Sequence, residues 1–251
     1  MIRGIYTAAS GMIGDAARLD VIANNLANVN TPGFKRDLAL YRAMPDMPII
    51  RHEATGFNTA LGSLATGAFL ENTYPSTSQG PLRRTGVETD IALLGHVYLA
   101  VETPFGERYT RHGGLVIDAD GLLLTASGHA VMGDDGTLLR VTGSEPVRIG
   151  EEGTVYRGDD VMGRLRLVEF TDPAGLLKEG DNLLAANERS GPAQAAPQGR
   201  VAPGFLEESN VDPVREMVAM ITVMRAYEAN QQVIKAQDEA LQRGITVGRL
   251  A

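Results

Sequence analysis

The chain has no cysteine and no tryptophan, and few aromatic residues of any kind. Without cysteine there can be no disulfide, thiolate zinc site or cysteine nucleophile. Scarce aromatics argue against the stacking platforms that hold single-stranded nucleic acid. The net charge is −8, with acidic and basic residues interspersed, so the basic stripe of a nucleic-acid binder is missing too. No run of about 18 uncharged apolar residues occurs, and no membrane span is expected. The first residues lead into a segment carrying Asp15, Arg18 and Asp20 rather than an apolar stretch with a cleavage site, so no secretory signal peptide is expected.

Catalytic signatures are absent as well. The histidines His52, His96, His112 and His129 are dispersed, without an HExxH spacing. Asp118-Ala119-Asp120-Gly121 could open a calcium loop, but its Gly comes early and His129 stands where a bidentate Glu is needed, so a hairpin turn is expected. No phosphate-binding loop or nucleophile elbow is present. Glycan hydrolysis needs only two carboxylates, but no pair is singled out. The expectation is no catalytic residue, no cofactor and no metal.

What the sequence does carry is a long amphipathic helix at each end. Ile2, Ile5, Ala9, Met12, Ala16, Leu19, Ala23 and Leu26 alternate spacings of three and four, as along the a/d seam of a coiled coil. A second row runs through Val214, Met217, Ile221, Met224, Tyr227, Gln231, Ile234, Asp238, Leu241 and Ile245. The first helix should span 2–28, because Asn30 precedes Thr31-Pro32-Gly33, which cannot continue it. The second should be capped by Asn210 or Asp212, start at Pro213 and end near Gly244, with a further turn towards Gly248.

Between the helices, residues 45–88 show no sustained period and read as an extended arm or loop. Short β-prone runs follow: Ile91–Leu94, Val97–Glu102, Leu115–Asp118, Leu122–Thr125, Ala130–Met132, Val147–Ile149, Thr154–Tyr156 and Arg164–Phe170. They are separated by Asp-Gly and Glu-Gly turns, as in an antiparallel sandwich or barrel-like body. Residues 187–204 are rich in Pro, Gly and Ala and read as a linker. The expected division is therefore 1–44 helix and exit segment, 45–88 arm, 89–186 β body, 187–204 linker and 205–251 helix. The fold class is α+β, with the terminal helices paired as a coiled-coil stalk beside an all-β middle domain.

The outer face of the first helix is unusual. Asn24, Asn25 and Asn28 fall on the side away from the seam, and the helix carries few charges on any face. A solvated face normally bears Lys, Glu and Arg. Such a helix calls for protein on all sides, so the expected function is assembly. The packing residues are Ile5, Met12, Leu19 and Leu26 against Val214, Met217, Ile221, Met224, Tyr227, Ile234 and Leu241. Asn24, Asn25 and Asn28 are expected as polar locks between subunits.

Four ordered blocks carry a family resemblance. Ala23-Asn24-Asn25-Leu26-Ala27-Asn28-Val29-Asn30-Thr31-Pro32-Gly33-Phe34-Lys35 resembles the N-terminal signature of bacterial flagellar rod and hook proteins. Tyr109-Thr110-Arg111 with Gly113, Gly121, Thr125, Gly128 and Val131 resembles that family's β-domain motif. Glu207–Val211 with Arg225-Ala226-Tyr227-Glu228-Ala229-Asn230 resembles its C-terminal block, and Val247-Gly248-Arg249-Leu250 its rod-type tail. One stretch departs: Asp90–Leu99 has Val97 and a lone aromatic, Tyr98, where the family shows a second Gly and an aromatic pair.

The resemblance implies a rod subunit of the flagellar basal body, without the outer domain of hook proteins. It also implies helical stacking with copies of itself and with other rod and hook proteins, partnership with the flagellar export apparatus and the surrounding ring proteins, and a site crossing the periplasm or cell wall. Export without a cleaved signal peptide is part of the same expectation. The length and divergent middle lean to a proximal rod type and the C-terminal block to a distal one. Two other readings are a subunit of another exported fibre or secretion tube, and a rod-associated peptidoglycan-cleaving enzyme.

Overall fold

The computed structural model describes residues 2–52, 58–143 and 145–249. Two helices, α1 (Ile2–Ala27) and α2 (Pro213–Arg249), bracket a series of short strands, giving an α+β chain. The chain divides into two compact units. One comprises Met1–Leu26, Leu38–Thr73 and Pro213–Ala251, and the other Ala27–Asp37 and Tyr74–Asp212.

In the first unit, α1 has 26 residues and α2 has 37, about 39 and 55 Å at 1.5 Å per residue. Pro213 opens α2, where its missing N–H costs nothing. The helix passes Gly244 and takes the further turn, ending at Arg249. A single exposed Gly costs a helix only about 1 kcal/mol relative to Ala, and no Pro follows to break it. The helices run antiparallel where they touch. Gly4 lies against the Gln237 side chain and Gly11 against Asn230, whose Nδ2 donates to Asp15 Oδ2 at 3.2 Å. These positions stand beside the Ile5–Met12–Leu19 row.

The 45–88 segment, expected as an arm or loop, contains strands. Met47–His52 pairs antiparallel with Asn58–Leu64, with an irregularity between Ile49 and Ile50, and Asp37–Ala43 pairs with Ala68–Pro75. Met47, Ile50, Leu61 and Leu64 are all exposed, so no polar-out alternation marks these strands in the sequence. The strands of this unit lie on α1: Tyr41 Oη, in the exit segment, donates to Gly14 O at 3.0 Å, and Gly67, in the arm, sits against Ser10.

The second unit is the β body. Its nine-stranded sheet runs Leu177–Lys178, Leu183–Ala185, Gly106–Thr110, Tyr98–Thr103, Ala130–Val131, Leu123–Thr125, Leu115–Ile117, with Leu167–Glu169 also on Tyr98–Thr103 and Gln194–Ala195 beyond it. Val147–Ile149, Thr154–Arg157 and Asp160–Arg164 form an antiparallel three-stranded sheet. The central strand is buried on both faces: Leu99 and Val101 enter one core with Leu123, Leu165 and Leu167, while Tyr98 and Ala100 enter another with Val168 and Phe170. A strand covered on both sides reads as a continuous apolar run, which is why 97–101 shows no alternation.

The expected turns form. Gly121 N donates to Asp118 O, Gly136 N to Gly133 O and Gly153 N to Gly150 O. Residues 187–204 differ from a free linker, because Arg200–Pro203 pairs with Ile91–Leu94 and Val201 and Ala196 are buried in the larger core. Gln194–Ala195 also pairs with Leu167–Glu169, and Ala193 packs on the second core.

Candidate functional site

The sequence blocks that carry the resemblance converge on one buried carboxylate. Glu207, 1% exposed, ends the strand Phe205–Glu207 that pairs with Leu82–Arg84. Its Oε1 accepts from Lys35 Nζ at 2.5 Å and from Gly80 N at 2.8 Å. Its Oε2 accepts from Arg111 Nε at 2.8 Å, with Arg111 Nη2 also 2.8 Å away. Arg111 in turn donates to the carbonyls of Leu93, Gly95 and Val97 and lies over the Tyr98 ring. A fully buried carboxylate with this many donors is stable where an unpaired one would not be.

The loop after α1 is fitted to the same place. Gly33 has φ +71, and a Cβ there would stand 2.6 Å from the Arg111 backbone, so only glycine fits. Gly33 N donates to Glu207 O at 2.8 Å. Asn182, itself in the left-handed region, donates from Nδ2 to Pro32 O at 2.9 Å. Lys178 lies over the Phe34 ring and donates to Lys35 O and to Asp37. Asn210, expected as a cap of α2, instead accepts from Arg36 N through Oδ1 and donates to Ser78 O. It is therefore spent on the clasp, and Asp212 is the residue next to Pro213. Burial, then the neighbouring Arg111, push the Lys35 ammonium down to about 8, against the opposing pull of Glu207.

Sequence reasoning did not single out Lys35, Arg111 or Glu207 as a set. The available signal was their presence in separate motifs, one charged residue each, at positions far apart in the chain.

The sequence-derived helix residues divide by exposure. Val214, Met217, Ile221 and Met224 are open at 67, 50, 52 and 49%, and Val218 beside them is open too. Ile5, Met12, Leu19 and Leu26 are half-buried, as are Tyr227, Ile234 and Leu241. Asn24 is exposed, Asn28 is half-buried and Asn25 is buried within the chain. The side chain of Ile2 and the tail ending in Leu250 lie outside the described side chains, as does the side chain of His52. His112 is half-buried; its Nδ1 accepts from Gly114 N, and desolvation pushes its pKa down. Among the described residues no cluster of His, Asp and Glu suited to a metal forms, and no helix is long and apolar enough to cross a membrane.

Comparison with known proteins gives the geometry its context. The family model "Flagella basal body rod protein" matches residues 5–35, and "Flagellar basal body rod FlgEFG protein C-terminal" matches residues 202–247. The chain is 34% identical to the flagellar basal-body rod protein FlgG of Bacillus subtilis, over 99% of this chain and 100% of that protein. It belongs to the flagellar basal-body rod protein family. The rod protein FlgG of Agrobacterium fabrum is 36% identical over 95% of this chain and 96% of its own length. The rod protein FlgF of Caulobacter vibrioides is 32% identical over 91% of each. This is a structural rod family and not an enzyme family, so the peptidoglycan-cleaving reading falls. Within the rod family's two matched segments lie Lys35 and Glu207, and the clasp joins them.

Proposed function

We propose that this rod subunit polymerises helically through its terminal helices into a hollow shaft that transmits torque and passes exported proteins. The supporting observation is the open apolar row Val214, Met217, Val218, Ile221 and Met224 on α2, too large a patch for a helix that ends its assembly in water. Tyr6 and Ile13 give α1 an open apolar face of its own. In the polymer, neighbouring copies cover these rows, and the half-buried Ile5, Met12, Leu19 and Leu26 pack with α2 in a coiled-coil stalk. Asn24 and Asn28 act as polar locks, while the arm at 45–88 cross-braces adjacent subunits. Stiffness follows from close packing on all sides.

The partners in this reading are further copies, other rod and hook proteins, the flagellar export apparatus and the surrounding ring proteins. The site is the basal body where it crosses the periplasm or cell wall. Electron microscopy of purified chain at rising concentration tests the assembly, with Ile221→Asp as the control. Tubes from the natural chain and none from the variant are expected. A permanent monomer, or equal assembly by both, refutes the reading.

A further inference from the structure

Beyond that assembly role, the clasp differs in kind from the body that holds it. The strands are held by two apolar cores, and neither core contains a residue of 27–37 or 204–212. Those two segments, which lead out of α1 and into α2, meet at one carboxylate through polar contacts. We infer that Glu207 is a latch, closing the exit of α1 onto the entry of α2 in a step separate from the folding of the strand body.

Without the Glu207 carboxylate, Lys35 and Arg111 would be two buried like charges sharing one space. Arg111 would keep its three backbone carbonyls, at Leu93, Gly95 and Val97. Lys35 would keep only Ser78 O. The Lys35 side is therefore the one that leaves, carrying residues 27–37 with it. Lys178, on the Lys35 carbonyl and the Asp37 carboxylate, and Asn182, on the Pro32 carbonyl, hold the edge of the loop, but neither brings a negative charge to the buried Lys35 ammonium. Since the cores end at Val201, a chain lacking residues beyond 206 has every core strand and no latch. Both helices are thereby rooted together only when the chain reaches its C-terminal block.

Hydrogen exchange on the full chain, read peptide by peptide, tests this. In Glu207→Gln, exchange in 28–37 should rise about tenfold or more, while 91–101 and 163–168 keep their protection. In Glu207→Gln/Lys35→Met the unpaired cation is gone, and protection of 28–37 should return. Unchanged exchange in 28–37 in the single variant would overturn the latch. So would an equal rise across the cores, or a double variant as open as the single one.

Discussion

Lys35 shows how one residue can tie stability to pH. Its folded pKa is lowered from 10.5 to about 8, chiefly by burial and then by Arg111. The other ionisable groups around it are Glu207, Lys178 with its partner Asp37, and Tyr98 under Arg111. Between about pH 8 and 10.5 the unfolded chain keeps a proton that folded Lys35 has released, so stability rises with pH across that window. Tyr109 acts the other way at higher pH: burial and then Glu107 push it up to about 12, so its contribution is lost as pH rises above 10. Urea midpoints should therefore climb from pH 8 to about 9.5 in the natural chain and climb less in Lys35→Met; a falling midpoint in the natural chain would contradict this. Gly33→Ala places a side chain at positive φ against the Arg111 backbone. It should destabilise the clasp by about 1–3 kcal/mol, measured by denaturant unfolding.

At the scale of elements, α2 carries two faces with different destinations. Glu216, Met220, Val223, Tyr227, Asn230, Ile234, Gln237 and Leu241, spaced by four and three, are the covered positions in the single chain. The apolar row from Val214 to Met224 lies to one side of them and is open. The sequence pattern predicts a helix here, but a helix with apolar residues on more than one side does not say which row its own chain covers. Polar Asn230 and Gln237 win inner positions because Gly11 and Gly4 opposite them leave room for an amide. Leu19→Asp or Ile221→Asp should abolish incorporation into rods while leaving the β body folded, as judged by isolated basal bodies and by circular dichroism. Gly244→Ala, at an exposed site with no neighbour within 4 Å, should firm the end of α2 by about 1 kcal/mol, seen as slower hydrogen exchange in 238–249.

For the whole molecule, a chain of the rod family is divided between a helical unit with open apolar rows and a β body with two closed cores. The core strands of the body are already buried in the single chain, whereas the α2 row from Val214 to Met224 is open. Assembly should therefore change the helical unit most. Protection from exchange should increase on polymerisation at 214–224 and change little at 97–101; the reverse pattern would place the subunit contacts on the body instead.

The sequence alone determined both helices, most strands between 91 and 170, the hairpin turns and the family, because each is written in local periodicity, turn chemistry or contiguous motif. Tertiary structure alone decided that Lys35, Arg111 and Glu207 meet, that Asn210 serves the clasp, and that Met47–His52, Asn58–Leu64, Ala68–Pro75, Leu82–Arg84 and Arg200–Pro203 are strands. Those outcomes depend on which distant segment supplies a counter-charge or a pairing edge. Desolvation makes a buried charge take the partner that the fold brings, whatever its distance along the chain.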